Sequence, residues 1–168
     1  MSVIEVDSIA QRLRFGDMDV ACSIGKGGVC SASDKREGDG CTPLGTWPIR
    51  GVLLRRERLT SDTPPGLPWR WTRPSDGWSD GLGDPEYNRP VQLPHRFSAE
   101  SLHRDDEAYD VLVVLGHNDA PPAPGAGSAI FFHCWVEGRP TEGCVAIAKP
   151  DMLKVLPHLT PGTVMTIR

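Results

Sequence analysis

The chain lacks any apolar run approaching the roughly 18 residues that a membrane-spanning helix needs, so no transmembrane segment is expected. It also lacks a basic excess. Eighteen Lys and Arg face 22 Asp and Glu, and the resulting net charge of −4 argues against a nucleic-acid partner, which requires a basic face. The opening "MSVIEVDSIAQRLRF" has no basic start followed by a continuous apolar segment, so no secretory signal is read there. No internal repeat is present. Neither Cys-x-x-Cys nor His-x₃-His spacing occurs, which disfavours a zinc module built on His103, His117, His133, Cys134 and Cys144.

What the chain does have is turn-forming residues, with 18 Gly and 16 Pro among 168 positions. Short apolar runs separated by such residues favour short strands over a helical bundle, and the length suits one domain spanning residues 1–168. Five cysteines, at 22, 30, 41, 134 and 144, cannot all pair within one chain. At least one thiol is therefore free, and a free thiol asks for a chemical reason.

"RLRFGDMDVACSIG" reads as a hairpin turning at Gly16-Asp17, and "CTPLGTWPIRGVLLRRERL" as a turn followed by a strand with one wet face. Residues 60–94 are rich in Pro, Gly and Asp, carry Trp69, Trp71 and Trp78, and show no helical or strand period. They are expected to form a long lid or substrate loop, its tryptophans packing to order the loop or stacking on sugar. "SAESLH" suggests a helical turn capped by Ser98. "YDVLVVLGHN" and "SAIFFH" read as buried strands, "CVAIA" as the start of a third, "KPDMLKVLPHL" as a helix and "GTVMTIR" as a closing edge strand. The expected fold is mainly β, with antiparallel sheets in a sandwich or barrel and one or two short helices.

One stretch, "SAIFFHCWVEGRPTEGCVAI", concentrates the chemistry. His133 ends an apolar strand, and Cys144 follows Gly143 into the next one. A thiol is a good nucleophile only as thiolate, so it needs a base within hydrogen-bond reach. Gly143 lets backbone approach an acyl substrate, and the amides of Gly143 and Cys144 can face a tetrahedral oxyanion. The bland alternative is a small buried cysteine and a satisfied strand-end histidine.

"GSAIFFH…PTEGCVAI", together with the earlier "DGCTPLGTWPI", resembles the L,D-transpeptidase family with its YkuD-type catalytic domain. There a strand ends in a catalytic histidine and a following [S/T]-x-G-C segment carries the nucleophile. A T-P-x-G-T-[FW] segment lies upstream, matched here by Thr42, Pro43, Gly45, Thr46 and Trp47, and "VACSIGKGG" is similar to the strand and Gly-Lys loop preceding it. The resemblance implies Cys144 as nucleophile, His133 as base, the Cys134 carbonyl as the group that orients the imidazole, and the Gly143 and Cys144 amides as oxyanion donors. It also implies a YkuD-like fold, no cofactor or metal, and peptidoglycan stem peptides as partner. Cys144 would take the diaminopimelate acyl group as a thioester and pass it to an amine of another stem, the periplasm would be the location, and carbapenems would acylate the site.

Two departures stand out. Glu142 replaces a histidine common before the Gly-Cys pair, and Ala146 stands where an arginine that anchors substrate carboxylate is usual. The missing arginine suggests a similarity to compact relatives from alpha- and betaproteobacteria that join L-alanine of one stem to diaminopimelate of another. Arg89 is either a replacement anchor or a solvated loop residue, and Tyr87 and Asn88 share that choice. Thr141, Glu142 and His117 are further candidates for binding substrate, with a turn-forming role the alternative for His117. Cys30 and Cys41 are candidates for a disulfide in an oxidising compartment. An L,D-carboxypeptidase or endopeptidase using the same pair, and a silent wall-binding module, remain as rival readings.

Overall fold

The computed structural model describes residues 2–59 and 65–168. Its strands are β1 (Val3–Asp7), β2 (Arg12–Phe15), β3 (Met18–Ser23), β4 (Val29–Cys30), β5 (Thr42–Pro43), β6 (Gly45–Leu54), β7 (Trp69–Trp71), β8 (Asp76–Ser79), β9 (Pro90–Gln92), β10 (Ala99–Ser101), β11 (Val111–Leu115), β12 (Phe131–Cys134), β13 (Val145–Ile147) and β14 (Val164–Ile167). One α-helix, α1 (Lys149–Val155), runs into a 3₁₀ turn at Leu156–His158.

Eight strands close into a barrel-like sheet in the order β11-β12-β13-β3-β2-β1-β14-β6, with β6 pairing back to β11 and β7 extending from β6. Closure leaves these eight without a free edge. Alternate residues of all eight strands meet in one apolar cluster, from Ile4, Leu13 and Cys22 through Val52, Val113, Phe132 and Val145 to Met165. Only an interior can gather residues from every strand. Met152 and Val155 of α1 join the same cluster, so the helix packs its apolar side on the sheet.

Several expectations are corrected. The sheet is mixed, because β1–β14, β12–β13 and β6–β7 run parallel. β14 is not an edge strand; it lies between β1 and β6. Alternation in sequence reports a wet face, and says nothing about how many neighbours a strand bonds. The stretch 60–94 is not a structureless loop over its described part, since it contains β7, β8 and β9; Thr60 to Pro64 lie outside the described residues. "SAESLH" forms β10 instead of a helical turn and pairs with β8, placing Glu100 opposite Trp78.

β8, β9 and β10 make a small second sheet that docks on the barrel's outer face. Trp78 is the dock. Its ring stands edge-on to Phe131 at 5.1 Å, within a second apolar cluster that includes Leu53, Tyr109, Leu112 and Cys144. Trp69 and Trp71 pack edge-to-face on each other at 5.0 Å and stay exposed.

Candidate active site

Alternation along β12 separates two environments. Phe132 and Cys134 enter the barrel core, while Phe131 and His133 face outward. In β13, Val145 and Ile147 are the core residues, so Cys144 shares the outward face with Phe131. Parallel pairing sets Phe132 beside Val145 and His133 beside Ala146. Cys144 and His133 are thus diagonal neighbours on one face, a spacing that side chains bridge.

Both residues line one cleft of about 500 Å³ and are buried, each 7% exposed. The Cys144 thiol lies against β12, with Sγ accepting from the Phe131 amide at 3.3 Å and donating to the Ala129 carbonyl at 3.3 Å. His133 Nδ1 is 2.7 Å from the Cys134 carbonyl. A carbonyl only accepts, so Nδ1 carries the proton and Nε2 of the neutral ring is left as a base.

Burial dominates the electrostatics. It pushes the Cys144 thiol up to about 12, opposed by the Phe131 amide, and drops the His133 imidazole to about 4, opposed by the Cys134 carbonyl. At neutral pH the pair rests as thiol and neutral imidazole. Burial also raises Cys22, to about 11, and Cys134, to about 12, so acidity does not distinguish the three free thiols. Position does. Cys22 and Cys134 belong to the barrel core, whereas Cys144 borders the cleft.

The upstream motif is the floor beneath this segment. Thr42 Oγ1 accepts the Gly25 amide at 2.8 Å, and the Trp47 indole donates to the Pro43 carbonyl at 3.0 Å. The Lys26 amide donates to the Thr141 carbonyl at 2.7 Å, and the Thr141 amide to the Ile24 carbonyl at 3.0 Å. Gly143 must be glycine: its φ is +136°, and an added Cβ would meet the Cys41 carbonyl oxygen at 2.9 Å. The Gly143 amide donates to Thr141 Oγ1 at 3.1 Å, while that hydroxyl donates to the Cys144 carbonyl at 2.6 Å. Cys30 and Cys41 form a disulfide, and the loop it closes sends Lys35, Glu37 and Gly38 to the cleft.

Of the other candidates, Thr141 and Glu142 line the cleft, Glu142 paired with Lys26 at 2.8 Å. Arg89 does not; it is exposed and outside the cleft lining, the position of the solvated alternative. Tyr87 lies behind the wall, its hydroxyl donating to Glu37 at 2.5 Å. Asn88 is buried and ties Trp78, Ala129, His117 and Asn118 together. His117 is buried edge-on to Trp47 at 4.8 Å, with burial lowering it to about 4.

Sequence reading missed Glu100, Arg104, Asp106 and Tyr109, all at the cleft. The Tyr109 ring stands edge-on to His133 at 5.1 Å and its hydroxyl donates to Glu100 at 3.1 Å. Arg104 lies over that ring and binds Asp106 through two nitrogens. "AESLHRDDEAY" reads as a polar connection, and no local signal shows that it wraps over β12.

Two groupings among the described residues are close enough to share a metal ion: Cys30, Asp39 and Cys41, and Asp84, Glu86 and His95. The first is closed by the disulfide. In the second, Asp84 Oδ2 already accepts from Ser79 at 2.5 Å and contacts His95 at 2.6 Å. Neither includes the cleft pair.

A family model for the YkuD L,D-transpeptidase catalytic domain matches residues 2–167. No curated protein sequence matches the chain. Among solved structures, an L,D-transpeptidase from Mycobacterium smegmatis aligns with 13% identity and a TM-score of 0.45 over 99% of this chain and 58% of its own. L,D-transpeptidase 1 of Mycobacterium tuberculosis aligns with 11% identity and a TM-score of 0.43, over 99% of this chain and 60% of its own. The chain therefore spans less than two thirds of the length of these structures.

Proposed function

The chain belongs to the YkuD family of L,D-transpeptidase catalytic domains, and from that premise we propose that it cross-links peptidoglycan stem peptides through a thioester on Cys144. The observation that carries the reading is the shared cleft: an outward-facing thiol and, on the neighbouring strand, an imidazole whose Nδ1 is held by the Cys134 carbonyl. Because thiol and imidazole rest neutral, proton transfer and attack proceed together. Cys144 Sγ bonds to the diaminopimelate carbonyl carbon as its proton passes to His133 Nε2. The tetrahedral intermediate then expels the terminal D-amino acid, whose nitrogen takes that proton. General base and acid work of this kind contributes about 10²–10⁴ in rate.

An amine of a second stem attacks the thioester, and its proton returns through His133 to the leaving sulfur. The Cys144 and Gly143 amides are the oxyanion donors in this scheme. Gly143 reaches an oxyanion only by leaving Thr141 Oγ1, so that exchange accompanies acylation. The small sheet of β8, β9 and β10 serves as the opposing wall. Ala146 at the arginine position supports L-alanine-to-diaminopimelate links as the specific product. Substrate and disulfide alike support an extracytoplasmic site of action, the periplasm.

Incubation with purified stem tetrapeptides tests the reading. Cross-linked dimers bearing the alanine-to-diaminopimelate bond are expected by mass spectrometry. Trimmed monomers alone would make the protein a hydrolase, and diaminopimelate-to-diaminopimelate dimers alone would reject the specific linkage.

A further inference from the structure

The wall facing Cys144 carries two carboxylates that make no ion pair among the described residues; Arg104, the nearest cation acting on Glu100, is committed to Asp106. Glu100 on β10 sits opposite Trp78 in the register with β8, and Asp80 follows two residues after Trp78, so all three share the face turned to the barrel. Glu100 Oε1 accepts the Tyr109 hydroxyl at 3.1 Å; among the described residues no hydrogen bond or ion pair engages Oε2. Asp80 Oδ1 is likewise buried without a partner. The other acids at the cleft are satisfied: Glu37 by Tyr87 and Ser128, Asp106 by Arg104, Glu142 by Lys26. Leaving carboxylates half-buried without a directly paired cation costs free energy, unless one arrives to occupy the gap.

Both steps of the proposed reaction share Cys144, but only the second uses an acceptor amine, which reaches the enzyme at neutral pH as an ammonium ion. The geometry points to Glu100, oriented by Tyr109 and backed by Asp80, as the group that docks this ammonium and takes its first proton. This inference rests on the acyl-transfer reading above. R–NH₃⁺ yields one proton to Glu100, which later releases it to solvent. The neutral amine then bonds to the thioester carbon, the carbon–sulfur bond breaks, and the second proton travels through His133 to the departing sulfur. Tyr109 links the two ends, bonded to Glu100 and edge-on to His133. Burial raises Glu100 to about 7, with Tyr109 opposing, which suits a group that must gain and lose a proton near neutrality.

The test separates docking from chemistry at sulfur. Thioester is formed on wild type and on Glu100→Gln, seen by intact mass, and its breakdown is followed with two nucleophiles: a stem tetrapeptide, whose amine is cationic, and hydroxylamine, which is uncharged at neutral pH. Glu100→Gln is expected to slow attack by the tetrapeptide at least about 10-fold while changing attack by hydroxylamine less than about twofold. Asp80→Asn is expected to give the same pattern, more weakly, and serves if the first variant does not fold. Equal slowing of both nucleophiles, or of neither, overturns the assignment while leaving the thioester mechanism intact. Failure of wild type to form any thioester overturns both.

Discussion

Asn88 Oδ1 accepts the Ala129 amide at 3.1 Å, and the Ala129 carbonyl in turn receives the Cys144 thiol at 3.3 Å. The same oxygen takes the Trp78 indole at 2.9 Å, and Asn88 Nδ2 donates to the His117 and Asn118 carbonyls at 3.1 and 2.7 Å. One buried amide thus joins the small sheet, the chain before β12 and the seat of the sulfur. Asn88 also has φ +55°, a left-handed conformation that asparagine tolerates better than most residues. Asn88→Ala should cost about 2–4 kcal/mol, since it strands buried donors and strains the backbone. Thermal unfolding checks this, and acylation of Cys144 should slow in parallel.

A buried neutral thiol alkylates slowly. Burial moves Cys144 to about 12 and His133 to about 4. Thiolate therefore becomes populated only as pH climbs. Labelling of Cys144 in the free protein should rise steadily between about pH 7 and pH 9. A plateau already reached near pH 6 would mean a preformed thiolate–imidazolium pair.

Glu100 should weaken the fold. Its proton is held to about 7 in the folded state against an ordinary 4.5, so between these values the folded chain binds a proton that the unfolded chain has lost. Stability from this group falls as pH rises through that window. His117 and His133, both lowered to about 4, act with the opposite sign and are unchanged in the variant. Glu100→Gln should therefore be more stable than wild type at pH 8, by roughly 1–3 kcal/mol after allowing for screening, and no more stable at pH 4. Denaturant unfolding at the two pH values measures the difference.

Lys149 at the start of α1 donates to Asp110 Oδ2 at 2.8 Å and to the Arg58 carbonyl at 2.9 Å. Asp110 is fully buried, and its other nearby cation, Arg58, stands at 3.7 Å. Lys149→Met should cost about 3–5 kcal/mol by stranding that carboxylate. Adding Asp110→Asn should recover much of the loss, a coupling that a double-mutant cycle reads directly.

How far the sequence could be read depends on which interactions are local. The β2–β3 hairpin, the buried run of β11 and the helix at Lys149 declare themselves through turn residues and periodicity. So did the family, through two separated motifs. The second sheet was illegible because β8, β9 and β10 are three or four residues long and are held by pairing with one another. Arg89 stays open between anchor and solvated residue in the sequence, because a guanidinium can fork a carboxylate but only loop direction decides where it points. Glu100 and Tyr109 gave no signal. Their meaning arises only when the chain after β10 folds back across His133.

The proposed reaction requires a covalent bond at one sulfur. Wild-type protein incubated briefly with a diaminopimelate-containing tetrapeptide donor, quenched in acid and weighed intact, should gain the mass of the donor less that of the free terminal D-amino acid it releases, with the adduct mapped to Cys144. The same protocol on Cys144→Ala should give no adduct. Cross-linked product with no adduct on the wild type, or an adduct that persists in Cys144→Ala, would contradict it.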